Sequence, residues 1–465
     1  MTTGLVDGLD AIGRHVEDEV EAGRMTGAAI SVAENGVILW ESGFGFADVA
    51  AGRRASEHTP FALASVTKPF TASAVMTLVQ AGKLVLDRPI GDYLVEPLPQ
   101  SGFDSAAITL RRLGGHAAGL PTLFGMTRED GGEISFTESV RDYARMVYPA
   151  GERYEYSNIG YNLLGEAASN VAGVDFGSVM RTAIIEPMGL ANAFYKPGGY
   201  RAGAATGYDA HRRAIALYGT ATPPSGELYA SAHDLSIFAS HMMATPGAGR
   251  RRILNDGMLE AMFATVYQGG GDAFTTFGWE GAHVDGERVI VKRGGQPGVA
   301  TRLTMMSDRK ISIAVVANRT DNAALVERIS ADIAALFVPG WSSPELEPVD
   351  AIGNSTRDWK WYRGEWAGTI SNGEIAGELR LEIDDEASRW AITDGDSRLI
   401  ETIDHRHDAL RFDSNGVMPG RITCEQILSF KLVARGDCLV GRCLAMVGDK
   451  PLVSMLPYLV SLTRV

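Results

Sequence analysis

A serine hydroxyl becomes a usable nucleophile when a nearby amine can take its proton, and a lysine three residues further along a helix lies on the same face. Ser-x-x-Lys occurs twice in this chain. Ser307-Asp308-Arg309-Lys310 falls between two strand-like runs and reads as a polar hairpin turn. Ser65-Val66-Thr67-Lys68 instead follows Phe61-Ala62-Leu63-Ala64 and precedes the long helical run from Phe70 to Val79. That setting puts Ser65 near a helix N-terminus, where the dipole and free N–H groups favour developing negative charge. Pro69 fits in the first turn, where a missing N–H costs little. For Lys68 to act as a base its pKa must fall, through desolvation and nearby positive charge. Taken alone, the same residues also describe a helix-capping serine beside a surface lysine.

Two further fragments bear on that choice. Tyr156-Ser157-Asn158 opens the helical run from Ile159 to Val171. A tyrosine there can relay a proton between nucleophile and leaving group, and an asparagine can bind a substrate amide. A helix cap beside a packed tyrosine is the alternative reading. Lys292-Arg293-Gly294-Gly295 ends a strand-like run and leads into Gln296-Pro297-Gly298. Glycines at that point let a substrate lie against the strand edge and free a backbone N–H for an oxyanion, although an ordinary glycine-rich strand end looks the same. The order and spacing of all three fragments carry the reading.

Ser-x-x-Lys, Tyr-x-Asn and Lys-x-Gly, in that order, resemble the serine β-lactamase and penicillin-binding-protein superfamily. The Tyr-x-Asn form is similar to its class C branch, which includes esterases, D-amino-acid peptidases and cyclising thioesterases. Leu113-Gly114-Gly115-His116-Ala117-Ala118-Gly119-Leu120-Pro121 resembles that branch's Leu-Thr-His-Thr-Ser-Gly-Leu stretch, and Gly226 to Leu235 its Gly-Gly-Leu-x-Ser-Thr-Ala-x-Asp-Leu helix entry. The resemblance runs over roughly residues 10–338. It implies Ser65 as the acylated nucleophile, with Lys68 and Tyr156 sharing general-base and general-acid work. Asn158, Lys292, Arg293, Gly294 and Gly295 would bind substrate, and the backbone N–H groups of Ser65 and Gly295 would form the oxyanion hole. His116 is expected to stabilise its loop. No metal or organic cofactor is implied. One departure matters: the middle residue of the third motif is usually Thr or Ser, whose hydroxyl helps bind a β-lactam carboxylate, and here it is Arg293.

The elements that must hold these residues are legible in the pattern of apolar positions. Leu5, Leu9, Ile12, Val16 and Val20 mark a helix over 5–22. Ala28–Ala33 and Val37–Trp40 flank Asn35-Gly36, the pair favoured in a type I′ hairpin turn. Residues 65–270 read as mostly helical, strand signals return at 288–293, 299–306 and 311–317, and a helical stripe follows at 321–337. We therefore expect an α/β fold: a β-lactamase-like sheet assembled from both ends of residues 1–338, with a helical lobe inserted between. Residues 339–360, rich in proline, glycine and serine at their start, read as a linker.

From 361 to 465 short alternating stretches such as Leu379–Ile383 and Ile427–Leu432 replace the helical stripes, which suits a small antiparallel barrel. Tyr362-Arg363-Gly364-Glu365-Trp366-Ala367-Gly368 resembles the Gly-x-Trp opening strand of lipocalin-like barrels. Trp359, Trp361 and Trp366 are expected in core or interface rather than as a substrate platform.

With 465 residues, 45% of them hydrophobic, the chain has ample material for a core without staples. A net charge of −14 argues against nucleic acid and anionic membranes as partners, leaving a small-molecule or peptide substrate. Met1 to Asp10 lacks a basic region followed by an apolar run. Three cysteines, Cys424, Cys438 and Cys443, without CxxC spacing, read as buried thiols in a reducing compartment, so a cytoplasmic location is expected. The expected function is hydrolysis of an amide or ester through an acyl-enzyme. A transacylase or peptide cyclase using the same acyl-enzyme, and a non-turnover penicillin-binding sensor or scaffold, are the alternatives.

Context separates the two Ser-x-x-Lys copies. Ser65→Ala should abolish labelling by a fluorophosphonate probe while leaving the fold intact, and Ser307→Ala should change neither. A label located at Ser307 by mass spectrometry would contradict the assignment.

Overall fold

The computed structural model describes residues 3–465 apart from 128–134, 196–202, 248, 251, 347, 349–356, 374, 393–394, 396, 407–408, 419–423 and 448–453. Most of the expected linker centre, residues 347 and 349–356, therefore lies outside the described residues. The first sheet has nine strands: β1 (Gly27–Glu34), β2 (Val37–Asp48), β3 (Arg53–Arg54), β4 (Tyr267–Gln268), β5 (Ala273–Thr275), β6 (Glu280–Val284), β7 (Glu287–Gln296), β8 (Val299–Met306) and β9 (Ile311–Ala317). Their spatial order is β3-β2-β1-β9-β8-β7-β6-β5-β4. The sheet is thus closed in the middle by β1 against β9, so the two ends of the segment meet as the strand pattern implied. Asn35 and Gly36 take φ of 51° and 78°, the left-handed pair that a type I′ turn needs.

Both faces of this sheet are covered, which is why β9 reads as a continuous apolar run rather than an alternating one. Its alternation is still visible in what each residue touches. Ile30, Val32, Ile313 and Val315 pack with Leu9 and Val16 of α1 (Thr3–Glu21) and with Val326, Ile329 and Ile333 of the C-terminal helix Ala323–Phe337. Ala29, Leu303, Ala314 and Val316 face the other way, into the large core. That core holds α2 (Thr67–Gln80), whose first ten residues are buried, and α3 (Asn158–Ala172). A helix buried all round has no amphipathic stripe, which is the sense of the uniform Phe70–Val79 run. α4 (Ala232–Met242) is likewise mostly buried, and begins at a Ser231–Asp234 capping box. The C-terminal helix above is α5.

Nine further strands form the second sheet: β10 (Gly364–Asn372), β11 (Ile375–Ile383), β12 (Arg389–Ile392), β13 (Arg398–Leu399), β14 (Ile403–Arg406), β15 (Ala409–Gly416), β16 (Gln426–Arg435), β17 (Cys438–Val447) and β18 (Ser454–Arg464). They run β13-β12-β11-β10-β18-β17-β16-β15-β14. The meander pairs its first strand with its last, and among the described residues β13 and β14 are not paired, so it curls into a half-barrel, consistent with the lipocalin-like antiparallel domain the sequence suggested. Its concave side is filled: Trp366, Leu381, Leu410, Phe412, Phe430 and Leu432 belong to a packed core, and Trp366 donates to the Tyr362 carbonyl at 2.7 Å. Trp359 and Trp361 pack against that core, as expected. Of the cysteines expected as buried thiols, only Cys443, in β17 within this core, is buried. Cys438 is half-buried where β17 begins, and Cys424, in the connection before β16, is exposed.

The half-barrel is tied to the rest of the chain by backbone and by charge. Ser454 and Met455 pair with Gly125 and Phe124, and the same short strand, Phe124–Thr127, continues by pairing with Gly219–Thr220. Buried Glu155 accepts from Lys431 at 3.2 Å and from Arg442. Burial alone would raise the Glu155 carboxyl, but these two cations outweigh it and hold it below the ordinary range. Glu155→Ala would leave two cations in a largely dry junction without their anion. We expect that loss to cost about 3–5 kcal/mol in chemical denaturation, and a loss within experimental error would show that water already screens the junction.

Candidate active site

Ser65 lies in a single 3₁₀ turn, Ala64–Val66, that runs straight into α2. Ala64 before it has φ of 47°, a left-handed value that costs a residue with a Cβ and persists only when its surroundings impose it. They do so here. Leu63 donates to the Leu228 carbonyl at 2.9 Å, and the buried Thr301 hydroxyl donates to the Leu63 carbonyl at 2.8 Å. The Ser65 side chain makes no capping bond to the helix. Its Oγ is instead 3.0 Å from Lys68 Nζ and 2.7 Å from Tyr156 Oη.

Lys68 is wholly buried rather than a surface lysine. Its ammonium has one further anchor, the Ser225 carbonyl at 3.0 Å, and sits 4.9 Å from the Tyr156 ring centre. Burial, followed by the positive charge of Lys292, pushes its pKa well below the ordinary lysine range. Tyr156 is shifted the other way: burial, followed by the charge of Glu280, raises its phenol above the ordinary tyrosine range. The phenol thus holds its proton more firmly than an ordinary tyrosine, and the amine gives its proton up more readily than an ordinary lysine. This is a divided acid and base pair on a single hydroxyl.

Ser157 caps α3, its hydroxyl accepting from Gly160 N at 3.0 Å, so the capping interpretation of this fragment holds for Ser157, while Tyr156 reaches Ser65 and Asn158 lines the same cleft. Asn158 donates through Nδ2 to the Leu123 carbonyl at 3.0 Å, and its Oδ1 has no hydrogen-bond partner. His116 supports Tyr156 from behind. Its Nδ1 accepts from Ser157 N at 3.1 Å, its ring centre is 4.3 Å from that of Tyr156, and burial keeps it neutral.

The third fragment divides between two faces of β7. Lys292 is fully buried, donates to Glu280 at 2.8 Å and lies 5.1 Å from the Tyr156 ring centre, beneath the site rather than in it. Arg293 faces the opening, half-exposed, with Nε 3.5 Å from the second Glu280 oxygen. Gly294 is required by close approach: a Cβ there would come within 2.3 Å of the Leu63 carbonyl and 3.2 Å of Ser65 N. Gly295 has open space where its side chain would be, so its backbone edge is exposed to a bound group. Ser307, by contrast, sits in the turn between β8 and β9.

Ser65, Tyr156, Asn158, Arg293 and Gly295 line a cleft of about 590 Å³. Its opposite wall is the convex face of the half-barrel, through Arg411, Lys431, Arg442, Leu444 and Met455. Period-two alternation does this: Leu410, Phe412, Phe430 and Leu432 point into the barrel core, leaving Arg411 and Lys431 to point out. Arg411 is the register partner of Lys431, and Lys431 of Arg442, which makes a cross-strand row of three cations. Glu155 engages two of them, and Arg411 Nε is buried with no partner among the described residues. Sequence reasoning missed this row, and it missed Glu280, Ser225 and Glu155. Glu155 alone had a local signal, its position next to Tyr156.

The β-lactamase family model matches residues 12–336. Protein flp of Staphylococcus aureus (strain COL) is 27% identical over 201 residues, 42% of this chain and 40% of that protein. The chain thus matches about two fifths of the length of that relative. Penicillin-binding protein 4* of Bacillus subtilis (strain 168) is 25% identical over 398 residues, 76% of this chain and 85% of its own length. Among solved structures, SurE with D-Leu superposes with a TM-score of 0.67 at 22% identity, covering 97% of this chain and 99% of that one.

The opposed shifts of Lys68 and Tyr156 set the shape of a pH profile. Acylation of Ser65 should rise in one step as Lys68 loses its proton, then stay level to about pH 10, because the tyrosine stays protonated beyond that range. Lys68→Ala should lower the rate by about 10²–10⁴. A falling limb that begins near neutral pH would show that a different acid is in use.

Proposed function

The chain belongs to the β-lactamase family, and from that premise we propose that it is a serine hydrolase cleaving an amide or ester bond through an acyl-enzyme on Ser65. One observation carries the reading: a single hydroxyl, at the floor of a cleft, bonded at once by a buried lysine of lowered pKa and a buried tyrosine of raised pKa. Ser65 Oγ attacks the acyl carbon while its proton passes to Lys68, and the oxyanion forms against the Ser65 and Gly295 amides. Tyr156 hands its proton to the departing amine or alkoxide and is reprotonated from Lys68. Water then repeats the sequence on the acyl-enzyme, with the same groups in reversed roles. Asn158 Oδ1, unpartnered on the cleft wall, supports an acyl donor that presents an amide N–H.

The cation row refines the substrate class. An arginine on the wall opposite Ser65, its Nε without a partner among the described residues, is matched by a carboxylate, which it binds with two parallel hydrogen bonds. We therefore place an anionic group on the substrate, directed to Arg411. The acyl-enzyme passing to an amine is the second reading, and two facts favour it. The half-barrel forms one wall of a cleft of about 590 Å³, which leaves room for an acceptor larger than water, and the similar structure was solved with D-Leu, which makes a D-amino acid the first acceptor or leaving group to test.

A panel of p-nitrophenyl esters, D- and L-amino-acid amides, a peptidyl thioester mimic and nitrocefin tests both readings. Nitrocefin should be the poorest substrate, because Arg293 replaces a compact hydroxyl with a long side chain already held toward Glu280. Arg411→Ala should raise KM about tenfold or more for a carboxylate-bearing ester and leave a neutral ester unchanged. Equal effects on the two esters would remove the anionic group from the reading, and nitrocefin as the best substrate would overturn the role given to Arg293.

A further inference from the structure

Glu41, His58 and His233 bring one carboxylate and two imidazoles together away from the Ser65 cleft, with their ligand atoms all within 4.8 Å of one another. They come from three separate places: β2, the loop before Phe61, and the first turn of α4. His233 Nδ1 is 3.0 and 3.2 Å from the two Glu41 oxygens. The rings of His58 and His233 have centres 4.7 Å apart, tilted by 60°. Two imidazoles on one tetrahedral zinc, each with Zn–N of about 2.0–2.1 Å, hold their ring centres about 5 Å apart. The pair is therefore already near the spacing a shared ion imposes. Donor atoms on such an ion are about 3.3 Å apart, so His58, which is exposed, closes the remaining gap by a small side-chain movement.

The surroundings of the carboxylate fit the same reading. Ser31 Oγ, buried in β1, is 3.3 Å from Glu41 Oε2, and it accepts in turn from the buried Ser236 hydroxyl at 2.8 Å. A ligating carboxylate held from behind by hydrogen bonds is the usual outer support of a metal site. The backbone is tied as well, His233 N donating to the Glu57 carbonyl at 3.2 Å. None of these groups has a part in the chemistry at Ser65.

We propose that Glu41, His58 and His233 form a zinc site, with a fourth position open to water. The ion clamps the loop that leads through Phe61 into the nucleophile turn onto β2 and α4.

The full-length protein, stripped with chelator, is titrated with zinc chloride at pH 7.5 by calorimetry, with thermal unfolding followed in parallel and magnesium chloride as control. One zinc per chain and a raised unfolding temperature are expected, with no response to magnesium. Cobalt should give the visible absorption of a four-coordinate ion. His58→Ala and His233→Ala should each weaken zinc binding by about tenfold or more, and His58→Ala, on a surface loop, keeps its zinc-free stability and its Ser65 labelling. Zinc binding that survives both variants, or no saturable binding at all, would overturn the proposal.

Discussion

Two lysines, Lys68 and Lys292, are buried around Tyr156 with one carboxylate, Glu280, to answer both charges. Two ammonium groups sharing one anion in a dry site disfavour each other's charged form. Burial lowers both lysines, but Lys292 is bonded to Glu280 at 2.8 Å, which offsets part of its shift. Lys68 bonds, among the described residues, only the Ser225 carbonyl and the Ser65 hydroxyl, and is lowered further. Desolvation is the larger effect and Lys292 the next. In the proposed mechanism the base is thus made by packing, with Glu280 favouring the charge of Lys292 over that of Lys68.

Much of the fold serves to keep that arrangement dry and in register. β7 delivers Lys292 downward and Arg293 upward because neighbouring residues of a strand face opposite ways. Gly294 lets the same strand approach the Ser65 turn, and Thr301 on β8 holds that turn through the Leu63 carbonyl. α3 brings Tyr156 and Asn158 to the opposite side, with His116 packed behind the tyrosine. The half-barrel completes the enclosure with its convex face. There the requirement is electrostatic, since a row of three like charges across adjacent strands is unfavourable without an anion. Glu155, one residue before Tyr156, supplies that anion, so the junction between the two sheets and the tyrosine bonded to Ser65 share a stretch of chain.

The parts legible in the sequence were those with a local cause. Asn35-Gly36 fixes its own turn, the period-two runs around 288–317 fix their strands, and the three fragments announce the nucleophile and its helpers by order. What escaped were features made by register over long separations. Arg411, Lys431 and Arg442 are neighbours only because β15, β16 and β17 pair in a particular alignment. Glu280 is invisible as the partner of Lys292 until β6 is laid beside β7. That β13 and β14 are not paired among the described residues was equally hidden, because alternation marks strands but says nothing about which edges meet. Lys292 was expected to bind substrate, and its burial 5.1 Å from the Tyr156 ring centre, bonded to Glu280, was not legible in the sequence.

The claim that buried charge sets the base is tested most directly by the acid limb of Ser65 acylation in Lys292→Met. That change removes the cation that lowers the Lys68 pKa and leaves Glu280 to raise it, so both effects have the same sign. The account predicts that the limb moves to higher pH than in the parent protein, with the rate restored on the alkaline side. A limb that stays in place, or moves to lower pH, would contradict it.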